Sequence, residues 1–290
     1  LLHSEDFSAP KWKVPINLVN GRSIENAVAH VPEVQVLKYG PPAEWGWGPR
    51  LRQRFGYVAP DDWYEATVWD FVAPGTAWLD VGCGRNVFPF NRPTAKLLAD
   101  RCSLLVGIDP SNNIDENTIV HQREKCVLED YRSDREFDIV TMRMVAEHIS
   151  DPGRAVAALG RLTRPDGVVI IYTVDKWSPA SLLASATPLS VHVFAKRLLW
   201  GSAERDAFPT VYALNTRADL HRHFGDAGFS EVSFVYVDDC RSLSQRRTTA
   251  QCELVAWRTL KALRLPYPDR CILAIYRKAA ARQETDNATP

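Results

Sequence analysis

Residues 78–84, Trp-Leu-Asp-Val-Gly-Cys-Gly, run from an apolar strand straight into a turn with two glycines. Glycine permits the tight turn and lets a ligand approach the backbone with no Cβ in the way. A second apolar segment, Val106-Gly107-Ile108, ends on Asp109 roughly 25 residues after Gly84, and a helical pattern over 93–101 lies between them. Strand, glycine turn, helix and strand at this spacing call for parallel strands joined by a helical crossover.

The rhythm continues downstream. Residues 77–81, 104–108, 126–128, 137–142 and 168–173 read as five short apolar strands, the last entered through the turn Pro165-Asp166-Gly167. Helical patterns fall at 61–71 and at 153–162 after Asp151-Pro152. Asp61-Asp62 open the first of these at the positive end of the helix dipole, and Pro74-Gly75 ends it. A helix over 216–227 stopped by Gly228, a strand over 232–237 and a final strand over 271–276 close the chain as a hairpin-like pair of strands. Such alternation predicts an α/β fold, a mostly parallel sheet with helices on both faces.

Three segments break the pattern. Residues 1–60 lack periodicity and hold Pro10, Pro15, Pro32, Pro41, Pro42, Pro60 and the cluster Trp45-Gly46-Trp47-Gly48. They read as an extended arm with short helical pieces, whose aromatics must lie on something. Residues 175–215, rich in Pro, Ser, Trp and His, follow the fifth strand, where a loop would stand above the ligand edge. Residues 241–266 form a second insertion with a helix around 253–263. The expected organisation is an arm or lid over 1–60, a main domain over 61–278 carrying both insertions, 175–215 among them as a substrate lid, and a disordered tail over 279–290.

Composition narrows the partners. Lys+Arg equals Asp+Glu at 35 each, so nothing in the charge balance points to a nucleic-acid backbone or a polybasic membrane anchor. The six cysteines, Cys83, Cys102, Cys126, Cys240, Cys252 and Cys271, form no C-x-x-C pair and read as reduced thiols of a cytoplasmic protein. Asp238-Asp239-Cys240 reads as a solvated strand end, and no metal is expected. No apolar run approaches the ~20 residues that span a bilayer. Oligomeric state is not legible.

The chemistry lies in the two acids. Asp109, at the end of the second strand, can accept two hydrogen bonds from ribose hydroxyls. Dinucleotide binders need G-x-G-x-x-G, because the pyrophosphate sits against the helix amino terminus. Here Val87 stands three residues after Gly84, bulky Phe88-Pro89-Phe90 follows, and Asp80 precedes the turn. A carboxylate there would repel a pyrophosphate and suits a cofactor with a cationic amino-acid end.

On these residues the chain resembles the class I S-adenosylmethionine-dependent methyltransferases, over residues 63–175 and more loosely over 216–277. The resemblance implies a Rossmann-like seven-stranded sheet with an antiparallel closing strand. It implies S-adenosyl-L-methionine as cofactor and S-adenosyl-L-homocysteine as product. Asp80, Gly82, Cys83 and Gly84 then contact the methionine part, Asp109 the ribose, and Pro110 flanks the adenine. Glu129-Asp130 falls near the adenine-contacting acid, and Arg143 at the end of the fourth strand faces the cofactor. Residues 145–152, Val-Ala-Glu-His-Ile-Ser-Asp-Pro, resemble the family's helix-opening motif, and Asp166 stands where glycine is more usual in the turn before the fifth strand.

Methyl transfer from a sulfonium is an in-line displacement, and a hydroxyl or amine nucleophile often needs a base as well. His148 is the candidate base and Glu147 its candidate partner. The alternatives are a structural histidine and a helix-capping acid. Trp177, His192 and Tyr212 are candidate substrate contacts, set against plain packing, with His121 and Trp200 behind them. The expected activity is methyl transfer to an oxygen or nitrogen of a small molecule. The alternatives are a protein of the same fold that does not methylate, such as a partner subunit or a cyclase, and an RNA or protein methyltransferase.

Overall fold

The computed structural model describes residues 24, 26–179, 181–182 and 209–280. Its strands are β1 (Ala77–Val81), β2 (Leu104–Ile108), β3 (Gln122–Glu124), β4 (Phe137–Arg143), β5 (Thr163–Val174), β6 (Phe229–Asp238) and β7 (Arg270–Lys278). They form one sheet in the order β3-β2-β1-β4-β5-β7-β6. The first five in sequence pair in parallel, and β7 runs antiparallel to both β5 and β6. This is the Rossmann-like sheet with an antiparallel closing strand that the sequence implied.

Alternating side chains leave opposite faces of a strand, and each face needs its own cover. Leu79, Val81, Val106, Ile108, Val140 and Met142 share one core with α5 (Pro152–Leu162) and α6 (Arg217–Asp226). Trp78, Leu105, Ile139 and Ile170 share the other with α3 (Pro60–Phe71) and α4 (Arg92–Arg101). The stripe of α5 is Ala155, Val156, Ala158, Leu159 and Leu162, the spacing of one helical face. Asp151, Asn91 and Thr216 cap α5, α4 and α6 by accepting a backbone N–H.

Three elements differ from the expectation. The third strand is Gln122–Glu124, not 126–128; all three of its residues are exposed, because an edge strand has no apolar run to advertise. Leu128, the buried residue of the expected strand, sits in a turn instead. The turn before β5 is a bulge inside that strand, with Asp166 at φ 62 and a register shift between Phe137 and Ile139. The helix of the second insertion, α7 (Arg247–Ala262), starts earlier than residue 253 because its first turn is polar.

The arm is more helical than its prolines suggested. α1 (Val31–Tyr39) and α2 (Trp47–Phe55) are nine residues each. Lys38 fastens α1 to α3, its ammonium buried 2.8 Å from Asp62 and 3.1 Å from Glu65. Burial opposes that charge, but the two carboxylates hold the pKa of Lys38 above its ordinary value. Tyr57 fastens the end of the arm, donating to the Asp238 carbonyl and accepting from Cys240 N.

Candidate active site

β1 connects to β2 on one side of the sheet and β4 to β5 on the other, so the strand order reverses between β1 and β4. Open α/β sheets form their ligand crevice at such a reversal, outside the carboxyl ends of the strands. The turn after β1 lies there. Gly82 and Gly84 adopt φ 73 and 46, and the N–H groups of Gly82 and Cys83 both donate to the Ile108 carbonyl. A Cβ on Gly82 would land on Val145 Cγ2, so the loops after β1 and β4 touch across the crevice. Gly107 is needed for a related reason: a Cβ there would stand 2.6 Å from Cys83 Sγ and 2.8 Å from Val120 Cγ1.

Asp109 ends β2 beside this turn and is 8% exposed. Its Oδ2 accepts from Gly84 N at 2.9 Å, and its Oδ1 accepts from Ser111 N and Oγ at 2.8 and 2.6 Å. The carboxylate is thereby aimed and fixed, and each oxygen retains acceptor capacity. Pro110 follows it, exposed. Asp80 is more enclosed: Trp78 Nε1 donates to Thr141 Oγ1, which donates to Asp80 Oδ1 at 2.6 Å. Burial pushes the Asp80 carboxyl up to about 7, against the pull of Thr141 and Arg143. A cationic ligand beside it would offset that cost of burial, so a carboxylate pair around a glycine turn fits a cofactor that carries an ammonium and a ribose.

The sign of the Asp80 effect is definite. Its folded pKa is raised from 3.8, so its favourable contribution is complete below that value and is lost as pH rises through about 7. Asp80→Asn removes the dependence. Melting temperatures compared from about pH 5 to about pH 8 should show the wild type losing ground to the variant as pH rises. Parallel curves would contradict the assignment.

The other expected cofactor contacts are less gathered. Cys83 is buried and burial pushes its thiol well up, which suits a packed wall rather than a reactive group. Asp130 is exposed and pairs with Arg154 of α5 at 3.4 Å. Glu129 is half-buried in the same turn, its carbonyl taken by Arg132. Arg143 ends β4, but its guanidinium donates to Asp61 of α3 at 2.8 Å and lies over the Tyr172 ring. Arg241 bridges Asp61 and Asp239 beside it. Burial works against ionised Asp61, yet Arg241 and Arg143 hold its pKa well below the carboxylate range. Asp61 was legible in sequence as a helix-opening acid; its partners stand 82 and 180 residues away.

A short 3-10 turn, Ala146–His148, follows β4. Met144 leads into it at φ 52, a strained value for a residue with a side chain, tied by its N–H to the Tyr172 carbonyl at 2.7 Å. Glu147 is buried and accepts from Thr173 Oγ1 at 2.6 Å, and its carbonyl accepts from Val211 N and Tyr212 N. It therefore caps nothing in α5, whose cap is Asp151. His148 is half-buried, and its Nδ1 stands 3.0 Å from the Pro209 carbonyl. That oxygen can only accept, which places the hydrogen on Nδ1 and the lone pair of the neutral ring on Nε2.

Of the candidate substrate contacts, Tyr212 is buried at φ 55 against Glu147, and Trp177 is 61% exposed. His192, like Trp200, lies outside the described residues. His121 Nδ1 accepts from Leu105 N, a structural role. Asp238 and Asp239 are committed to Lys261 and Arg241. A cavity of about 380 Å³ lies elsewhere, against the edge strand β6, between Trp63, Val235, Val237 and Trp257.

A glycine turn and two fixed carboxylates thus stand at the reversal of an α/β sheet. The methyltransferase-domain family matches residues 48–233, and the chain belongs to that family. Ubiquinone biosynthesis O-methyltransferase of Azorhizobium caulinodans is 29% identical over 181 residues, 58% of this chain and 64% of that protein. The protein of the same description from Methylococcus capsulatus is 34% identical over 120 residues, 38% of this chain and 48% of that protein. The chain thus spans less than two thirds of the length of these curated relatives. The N-methyltransferase NodS of Bradyrhizobium japonicum WM9, solved with S-adenosyl-L-homocysteine, covers 87% of this chain and 98% of its own at 13% identity and TM-score 0.45. Among the described residues no helix is long and apolar enough to cross a membrane.

Proposed function

We propose that the chain transfers a methyl group from S-adenosyl-L-methionine to an oxygen or nitrogen of a small-molecule acceptor. The observation that carries this is the carboxylate pair, Asp80 and Asp109, held around the Gly82–Gly84 turn in a chain of the methyltransferase-domain family. The curated relatives are O-methyltransferases of ubiquinone biosynthesis, which favours oxygen. The cofactor, when bound, supplies a methyl made electrophilic by a sulfonium. Asp109 orients the ribose, Asp80 faces the cationic amino-acid end, and the loops meeting at Gly82 and Val145 keep water out of the crevice.

His148 is the base that takes the acceptor's proton. Its Nδ1–H is held by the Pro209 carbonyl, so Nε2 is the atom that receives it. Substrate choice resides in the segments 1–60 and 175–215, with Trp177, Tyr212 and His192 as acceptor contacts. The six free thiols, three of them buried, accord with work in the cytoplasm. The test is formation of S-adenosyl-L-homocysteine from a panel of phenols, carboxylates and amines. His148→Gln should lower kcat by roughly 10²- to 10⁴-fold, the usual range for a general base, with cofactor affinity little changed. Cofactor binding without turnover on any acceptor would favour a protein of this fold that does not methylate. Unchanged kcat in His148→Gln would remove the base assignment alone.

A further inference from the structure

Residues 209–215 are stitched to the turn after β4 by side chains that no base or cofactor role requires. Asn215 is fully buried, and its Nδ2 donates to Thr173 Oγ1 at 2.8 Å and to the Val174 carbonyl at 2.9 Å. Thr173, also fully buried, passes its one hydroxyl hydrogen to Glu147 Oε2. The relay has a single polarity. Both amide hydrogens of Asn215 are spent, Thr173 accepts from one side and donates to the other, and Glu147 only accepts.

Glu147 is 6% exposed, and among the described residues no Lys, Arg or His forms an ion pair with it. A carboxylate buried on so few donors is costly to keep, which argues that its position matters. That position is a junction. The Glu147 carbonyl takes Val211 N at 2.7 Å and Tyr212 N at 3.1 Å, and Tyr212 holds φ 55 to reach it. Two residues earlier, the Pro209 carbonyl meets His148 Nδ1.

We propose that Thr173 and Asn215 are positioning residues for His148, acting through Glu147 and the 209–212 backbone to hold the ring in the tautomer with hydrogen on Nδ1. The inference rests on the reading of His148 as base for its purpose, though not for its geometry. Replacing Thr173 by valine keeps the shape and removes both hydrogen bonds at once. Glu147 then loses its donor, Asn215 keeps only the Val174 carbonyl of its two acceptors, and the hold on the segment that presents the Pro209 carbonyl is loosened. Thr173→Ser keeps the relay intact.

The test needs no acceptor substrate. Two-bond 1H–15N correlation spectra report the tautomer of each histidine ring, and His148→Gln identifies the signals of His148 among the seven histidines. The wild type and Thr173→Ser should show one Nδ1–H tautomer for His148. Thr173→Val and Asn215→Ala should show a mixture of tautomers, since the Pro209 carbonyl that selects the hydrogen on Nδ1 is no longer held in place. Calorimetric affinity for S-adenosyl-L-methionine should stay within about twofold in all three variants, reporting an intact crevice. A His148 tautomer unchanged in whichever of Thr173→Val and Asn215→Ala remains folded would overturn the proposal. A changed tautomer together with unchanged kcat in His148→Gln would leave the positioning intact and remove the base role.

Discussion

Asp109→Ala is expected to bind S-adenosyl-L-methionine at least about a hundredfold more weakly than the wild type. Two hydrogen bonds from ribose hydroxyls to a carboxylate are each worth about 1.5 kcal/mol at the low end, and tenfold in affinity corresponds to ~1.4 kcal/mol. The loss is larger than a simple deletion suggests, because the same carboxylate arranges its surroundings. Gly84 N, Ser111 N and Ser111 Oγ all donate to it, so its removal also loosens the glycine turn and the start of the next loop. Asp109→Asn retains one acceptor oxygen and should fall between the two. Calorimetric titration of the three proteins, each at a temperature well below its own melting point, separates binding from stability. Equal affinities would show that Asp109 holds only the loop.

Gly82→Ala should be the most damaging small substitution in the crevice. The residue sits at φ 73, where a side chain costs roughly 1–2 kcal/mol. Its new methyl would also coincide with Val145 Cγ2, and overpacking of this kind costs typically 1–3 kcal/mol. Together these predict a loss of about 2–5 kcal/mol and a melting temperature lower by roughly 5–15 °C. The two causes can be told apart. Adding Val145→Ala removes the collision but not the backbone strain, so the double variant should recover the packing part and no more. Full recovery would mean that the left-handed conformation of Gly82 carries no cost. No recovery would mean that the loops after β1 and β4 do not meet as described.

The parts of the fold that were legible in sequence are those whose signal is local. β1 and β2 match their expected bounds, because short apolar runs ended by glycine or by an acid have a defined start and stop. The closing pair β6 and β7 was visible for the same reason, although α7 lies between them. β3 was misplaced because an edge strand of Gln, Arg and Glu carries no hydrophobic mark, while Leu128 nearby does. The arm helices were unreadable as a whole because they are held by contacts beyond themselves: Lys38 needs Asp62 and Glu65 from α3.

The site divides along the same line. Asp80, the glycines and Asp109 announce themselves by spacing after strands. The ion cluster of Asp61, Arg143, Arg241 and Asp239 does not, since it joins α3, β4 and the loop after β6. Arg143 was read as facing the cofactor, and its guanidinium is also tied to Asp61, a partner the sequence did not show. Glu147 and His148 were recognisable as a motif, but their partners Thr173, Pro209 and Asn215 are separated from them by 26 to 61 residues or reached only through one another.

The central claim is that the crevice between the loops after β1 and β4 holds the cofactor. A crystal structure of the chain with S-adenosyl-L-homocysteine tests it most directly. The account predicts ligand density over the Gly82–Gly84 turn, with both ribose hydroxyls in hydrogen-bond reach of Asp109 and the sulfur facing the turn that carries His148. Density in the cavity against β6, with the crevice empty, would contradict it.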